Sequence, residues 1–482
     1  MSEMSRKKVS RMMQMDKKNE EQQQKTRNLL KPFSKLFEEP PKVPKHSEND
    51  LEIKLTRELP KYNPKLLHYN KRELSCMKEE MQELLNQGKI RESSSKFMCT
   101  PLIIPKKGTD EYRMVINYKP LNVITKRDNY PLNNLEQFIR HLGGARVFTT
   151  LLIKDAYQLL RIKKGDEHKT AFKTPFGVYE YMVIPLGLTN APAHFQRCIN
   201  KALLPFLGVF IIVYLDTILI YSSSKKEHQK HVREILRRLR EADLYLDQEK
   251  CCFFQNKVKF LGHLISEKGM EVDPERIQAI IDWPVPDTFK KLRSFLGFVN
   301  YSRQFVPNLS KLSRPLYDLL KKDAKYEWTD RQQQAFMQIK QAFENSSILR
   351  HHDRTKETRL ETDVFDHAIG AVVSQKQDDG IYHPVVFHSA SLTGQQRTWP
   401  TWEKEAYAII TALRKWPHLL SDLDKPFHIL TNHEDLISRI RTDARLKMNR
   451  WTSELDCYIF DSYCRPKRDN RHHFSKSSSN RS

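Results

Sequence analysis

The segment Val213-Tyr-Leu-Asp-Thr-Ile-Leu-Ile-Tyr221 sets one acid between two apolar runs, a pattern that folds as a tight hairpin with Asp216 at its tip. Alone it fits a β-turn aspartate as well as a carboxylate displayed for chemistry. A second acidic stretch, Leu360-Glu-Thr-Asp-Val-Phe-Asp366, leaves the same choice open between a solvated turn and a reactive acid. Basic residues stand apart from both. Lys106-Lys-Gly-Thr-Asp110 forms a hairpin tip between Pro101–Pro105 and Tyr112–Ile116, with Arg113 on the returning strand. A positive fork of this kind suits phosphate oxygens, and by itself it reads equally well as solvated surface charge.

Elements must position these groups. Leu74, Met77, Met81, Leu84 and Leu85 recur at helical spacing and predict a helix over 73–87, stopped by Gly88. Strands are expected at 147–153, 178–183, 210–215 and 218–221, followed by a helix over 227–241 with Val232, Ile235, Leu236 and Leu239 on one face. From Val272 to about Phe343 the spacing turns helical. Asp287 or Thr288 can cap a helix whose stripe is Phe289, Leu292, Phe295, Leu296 and Val299, closed by Pro307. Beyond Thr358, strands at 359–364, 368–374, 384–389 and 427–430 surround a helix over 402–415, a second α/β domain. The whole is an α+β multidomain chain. Residues 1–60 hold few large apolar side chains and a Pro-rich patch at Pro40-Pro-Lys-Val-Pro44, and predict a flexible lead-in; 465–482 predict a disordered tail.

Composition narrows the partners. A chain of 482 residues suggests about three domains at ~150 residues each. A formal charge of +23 on a chain with 10% aromatics describes a folded, electropositive protein whose natural partners are polyanions. Seven cysteines, odd in number and without C-x-x-C spacing, argue against a disulfide framework or zinc ribbon. The longest apolar run, Ala202–Leu215, is too short for a membrane span and is broken by Pro205 and Gly208. The expectation is an intracellular protein, cytoplasmic or nuclear, with no membrane partner.

The order of motifs is more specific. Arg113-Met-Val-Ile-Asn-Tyr-Lys-Pro-Leu-Asn122, Tyr130-Pro-Leu, Phe148-Thr-Thr-Leu-Leu-Ile-Lys-Asp-Ala-Tyr157, Phe176-Gly-Val-Tyr-Glu-Tyr181 and Pro185-Leu-Gly-Leu-Thr-Asn-Ala-Pro-Ala-His-Phe-Gln196 resemble the reverse transcriptases of gypsy-class LTR retrotransposons, fungal Tf-type elements in particular. The likeness continues through Lys250-Cys251, Lys259-Phe-Leu-Gly-His-Leu-Ile-Ser266, Phe295–Phe305 and the ribonuclease H stretch around Asp363. It implies a right-hand polymerase: fingers and palm over 61–266, thumb and connection over 267–345, and a C-terminal ribonuclease H-like α/β domain over 346–464. The implied activities are RNA-directed DNA polymerase and RNA-strand cleavage. The implied cofactor is Mg2+ or Mn2+, and the implied partners are an RNA template, RNA–DNA hybrid or DNA, and dNTP. No protease signature or integrase zinc module is visible.

Nucleotidyl transfer in this family needs two magnesium ions and therefore converging carboxylates. The three aspartate positions fall here on Leu152, Asp216 and Thr217, so one carboxylate remains. Asp155, three residues along the strand, is expected on the opposite face from position 152, with a role near the triphosphate. Lys106, Lys107 and Arg113 match fingers positions that grip the triphosphate, and Tyr157 the residue under the deoxyribose. Gly187 matches the loop beside the templating pocket, and Lys250 a lysine associated with pyrophosphate departure. The ribonuclease H acids fall on Asp363, Glu405, Asn432 and Phe474, leaving two of four. These replacements predict doubtful metal binding, little or no polymerisation, and weak nuclease activity at most. A host-retained, non-catalytic RNA- or DNA-binding pseudoenzyme and a decayed copy are the alternatives; the oligomeric state stays open.

Overall fold

The computed structural model describes residues 23–105, 111–131, 142–322, 324–431, 433 and 435–464. They divide into two compact units, one holding the described residues up to 131 together with 147–255, the other 142–146 together with 256–464.

In the first unit β1 (Ile90–Glu92), β5 (Phe172–Thr174) and β6 (Gly177–Tyr181) form one sheet, and β2 (Thr100–Pro105) pairs antiparallel with β3 (Tyr112–Asn117). The central sheet has the order β7-β8-β4-β9, from β4 (Val147–Leu152), β7 (Ile211–Tyr214), β8 (Thr217–Ser222) and β9 (Cys252–Gln255). Ile218, Leu219, Ile220 and Tyr221 of β8 are all buried, without alternation. An interior strand covered on both faces has no polar side to present. The Ala191–Leu203 and Lys225–Glu241 helices supply Phe195, Ile199, Leu203, Val232, Ile235 and Leu236 to the core on one face of this sheet. The Lys71–Asn86 helix begins two residues before its expected start because Asn70 and Glu73 form a reciprocal capping box.

The lead-in differs from expectation. Residues 1–22 lie outside the described part, but Leu29, Phe33 and Leu36 are buried in the core of the central sheet, and Leu51 and Ile53 in a second core with Met77, Phe172 and Tyr181. Leu246 N donates to Leu36 O at 2.7 Å, and the Arg240 guanidinium lies 5.3 Å from the Phe33 ring. Sparse apolar residues sufficed because each meets a core already formed by distant segments.

The second unit opens with a three-stranded sheet, β10 (Lys257–Phe260), β11 (His263–Ser266) and β12 (Gly269–Val272). These strands belong together, so the division falls after Gln255 rather than at the expected Ser266, which would split the sheet. Gly269 has φ +134, and a Cβ there would stand 2.0 Å from Leu349 O. Gly269→Ala therefore lowers stability by about 2–4 kcal/mol, checked as the urea midpoint of the full chain. Helices follow, including Phe289–Tyr301, capped by the Thr288 side chain; this helix ends at Tyr301, well before Pro307, and Phe289 is exposed. The last sheet has the order β15-β14-β13-β16-β17, from β13 (Thr358–Phe365), β14 (Ala368–Lys376), β15 (Tyr382–Ser391), β16 (Phe427–Thr431) and β17 (Phe460–Cys464). β13–β16 and β16–β17 pair in parallel, the rest antiparallel, and the Thr401–Lys415 helix packs on β13 and β14. The tail, 465–482, lies outside the described residues. No helix among the described residues is long and apolar enough to cross a membrane.

Candidate active site

The β7–β8 hairpin turns through two residues, Leu215 and Asp216, which puts Asp216 at the tip as its sequence context predicts. Leu215 has φ +54, a conformation that suits glycine at the first position of so short a loop. The tip is tied down from two sides. Ile153 N donates to Asp216 O at 2.8 Å, and Leu215 N donates to the Gln196 side-chain oxygen at 2.7 Å. Leu152, the last residue of β4, stands directly opposite Thr217. Directly paired residues have Cβ atoms about 5 Å apart, so positions 152 and 217 are neighbours, with Asp216 next along the chain.

Their chemistry is uneven. Asp216 carries the one carboxylate, and Thr217 Oγ1 donates to its Oδ1 at 3.2 Å, while Leu152 presents hydrocarbon. Two Mg2+ ions demand several hard oxygens in near-octahedral arrangement, and this donor set does not supply them. Among the described residues no three His, Cys, Asp or Glu side chains gather to hold a metal ion.

Around the hairpin, Tyr157 is half-buried and edge-on to Phe195, ring centroids 5.8 Å apart. Burial and then the Asp216 charge push its phenol above the ordinary range. Asp155 departs from expectation: β4 ends at Leu152, and Asp155 occupies a turn at φ +47, exposed, so strand alternation does not reach it. Lys250 is exposed and pairs with Asp247 at 2.8 Å, a hydrogen bond that raises its ammonium. Arg113 is exposed on β3; Lys106 and Lys107 lie outside the described residues.

Gly187, at φ +99, borders an open cavity of about 450 Å³ lined also by Asn117, Lys119, Asn122, Arg127 and Thr189. Asn122 clamps this loop, donating to Gly187 O at 2.8 Å and accepting from Thr189 N at 2.9 Å. Asn122, Lys119 and Gln196 escaped the sequence reading as site residues, although all three stand within the motifs quoted for the resemblance.

Beneath the sheet, His228 is buried between Thr149 Oγ1 at 2.7 Å and Ser222 Oγ at 2.8 Å, joining β4 to β8. Burial, aided by neighbouring His231, lowers its imidazole to about 3. The unfolded chain then binds the proton that the fold refuses. The stability from this residue is complete above the ordinary value near 6.5 and is lost as pH falls from there toward 3. Urea midpoints are expected to drop between pH 7 and pH 5, with a slope of up to about 1.4 kcal/mol per pH unit from this site, and His228→Gln is expected to flatten it.

In the second unit Asp363 pairs directly with Gly370 on β14, and the Asn308 side-chain oxygen lies where a Gly370 Cβ would project. Glu405 is buried on the Thr401–Lys415 helix, its Oε2 3.6 Å from His433 Nε2. No local spacing ties His433 to Glu405, so the sequence does not single it out. Asn432 and Phe474 lie outside the described residues.

Comparison with known proteins accords with this geometry. Residues 104–265 match the family described as reverse transcriptase (RNA-dependent DNA polymerase), and 328–429 match the RNase H-like domain found in reverse transcriptase. The chain is 43% identical over 432 residues to the transposon Tf2-3 and Tf2-7 polyproteins of Schizosaccharomyces pombe, covering 88% of this chain and 32% of each polyprotein. It thus spans about a third of the length of these relatives. Among solved structures, the foamy viral protease-reverse transcriptase dRH in complex with double-stranded DNA superposes with TM-score 0.80 at 21% identity, covering 94% of this chain and 80% of that one. The foamy viral protease-reverse transcriptase in complex with RNA/DNA hybrid gives TM-score 0.76 at 21% identity, covering 96% and 63%. The chain thus carries a reverse transcriptase domain over 104–265 and an RNase H-like domain over 328–429, in a stretch similar to part of the Tf2 retrotransposon polyproteins.

Proposed function

We propose that this chain is a retrotransposon-derived reverse transcriptase region that holds RNA template, RNA–DNA hybrid or DNA but polymerises little or not at all. The observation that carries the reading is the pairing of Leu152 with Thr217, next to Asp216. A site assembled for two-metal phosphoryl transfer keeps its backbone and loses two of its acids. Metal stabilisation is worth several kcal/mol, and each ~1.4 kcal/mol is tenfold in rate, so the loss is on the order of a thousandfold or more. Binding follows a different logic, because phosphate contacts come from Lys and Arg, and the chain carries 82 of them. Arg113 and Lys106 with Lys107 are the groups we assign to triphosphate contact and Lys250 to pyrophosphate departure, with Asp155 near the triphosphate and Tyr157 under the sugar. The Gly187 cavity, with Lys119 and Arg127 on its wall, takes the template strand. Asp363 and Glu405 leave the nuclease half with weak activity at most.

Two assays test the reading together. Primer extension on an RNA template with Mg2+ or Mn2+ is expected to give no measurable product from the unmodified chain. Filter binding of RNA–DNA hybrid at low salt is expected to give tight retention. Clear synthesis overturns the loss of polymerisation, and absence of retention at low salt overturns the binding function.

A further inference from the structure

Leu215 precedes the one remaining acid of the hairpin and is held at φ +54, which a branched side chain rarely adopts. Such a conformation persists only where surrounding contacts over-determine it. Beside the Ile153 N to Asp216 O bond, one side chain supplies two such contacts. Gln196, 1% exposed on the Ala191–Leu203 helix, accepts from Leu215 N at 2.7 Å and donates through Nε2 to Val213 O at 3.4 Å. Its carboxamide thus bonds the backbone on both sides of Tyr214, as a neighbouring strand would, just before Asp216.

The amide is itself oriented. Gln196 Nε2 also donates to Asn200 Oδ1 at 2.8 Å, one helical turn on, and Asn200 Nδ2 donates to Tyr130 Oη at 3.0 Å. Every donor in this chain of bonds points the same way, from Leu215 N to Gln196, to Asn200, to Tyr130. Turning the Gln196 amide over would set its NH2 against the Leu215 N–H, so that backbone donor fixes the direction of the bonds, and Asn200 and the Tyr130 hydroxyl, which can donate or accept, hold the amide in place from the far end. The far end is anchored in turn. Tyr130 N donates to Asp128 Oδ1 at 3.0 Å, Arg197 Nη2 binds both Asp128 oxygens at 2.7 Å, and the Arg197 guanidinium lies 4.8 Å from the Tyr130 ring.

We infer that Gln196 is a positioning residue for Asp216, and that the Tyr130-Pro-Leu motif serves it by locking the Gln196 amide through Asn200. The inference deepens the proposed function and rests on Asp216 being the remaining palm carboxylate. Amide hydrogen exchange on the full chain tests it. Gln196→Met keeps the size of the side chain and removes both polar atoms, so exchange at Leu215 is expected to quicken by about tenfold or more while the β4 and β8 amides stay protected. Gln196→Glu keeps the accepting oxygen and is expected to leave Leu215 slow. Tyr130→Phe is expected to quicken it by about threefold and keeps the test open should Gln196→Met fail to fold. Unchanged Leu215 exchange in Gln196→Met, or in Tyr130→Phe if the first variant does not fold, overturns the inference.

Catalysis supplies the second readout, in a chain carrying Leu152→Asp and Thr217→Asp. There Gln196→Met is expected to lower kcat about tenfold with the nucleotide KM unchanged, and Gln196→Glu to retain most of it. Equal kcat in the two variants overturns positioning. Absence of extension by the Leu152→Asp, Thr217→Asp parent counts against the proposed function instead and leaves the exchange result to decide the role of Gln196.

Discussion

Leu152→Asp combined with Thr217→Asp is expected to raise primer extension on an RNA template by about a thousandfold or more over the unmodified chain. The backbone is already in place: position 152 stands opposite 217, and Asp216 O is bonded to Ile153 N at 2.8 Å. Two new carboxylates would restore the donor set around Asp216 without moving a strand. Either substitution alone is expected to give little, because two cations share the three acids and an incomplete set holds neither well. Three carboxylates at one point also repel, so the double variant is expected to be less thermostable than its parent in chelator and to recover with Mn2+, whereas the parent melts alike in both. A double variant that stays silent with Mn2+ and shows no metal-dependent melting shift would refute the claim that the missing acids limit this centre.

Hybrid duplex binding is expected to weaken by about a thousandfold or more between 50 and 200 mM salt, as for a protein making six or more phosphate contacts. Many cations on this chain are only partly engaged. Arg113 and Arg127 are exposed, and among the surface pairs Lys250–Asp247 and Lys201–Glu48 water competes with the partner. Such groups exchange a mobile counterion for a phosphate oxygen. Filter binding across the salt series gives the slope, and Lys119→Ala plus Arg127→Ala at the Gly187 cavity should reduce it by about two if both side chains meet phosphates. A flat salt dependence would sink the proposal that the basic surplus serves nucleic acid. The same slope in the unmodified chain and in the Leu152→Asp, Thr217→Asp variant is the expected sign that binding and catalysis rest on different residues.

Some of this was legible before any coordinates. The run Val213–Tyr221 announced a hairpin with Asp216 at its tip because an acid between two apolar strands has nowhere else to go, and the structure places it there. The stripe on the Lys225–Glu241 helix gave its buried face, Val232, Ile235, Leu236 and Leu239, since helical period and burial are the same fact. Other features failed for local reasons. Strand alternation was carried past Leu152 to Asp155, where the backbone had already turned. The lead-in looked mobile because its apolar residues are few, yet Leu29, Phe33 and Leu36 each fill a place in a core built by residues far along the chain. None of the strands β9 to β12 shows in the sequence as a strand, and only β11 and the end of β10 lie within a motif, since each runs for four residues, too short for a period to show.

By itself the sequence determined which chemical groups this protein has at its centre: one aspartate, a threonine and a leucine where three acids would be needed, in a fixed order of motifs. That is a matter of composition and needs no folding. The tertiary structure alone decided what holds them. Gln196 reaches Leu215 across 19 residues and Asn122 reaches Gly187 across 65, pairs that no local spacing encodes. Periodicity reports which face of an element is buried; only the packed chain brings a buried amide to a particular backbone N–H, because that meeting depends on where two elements cross.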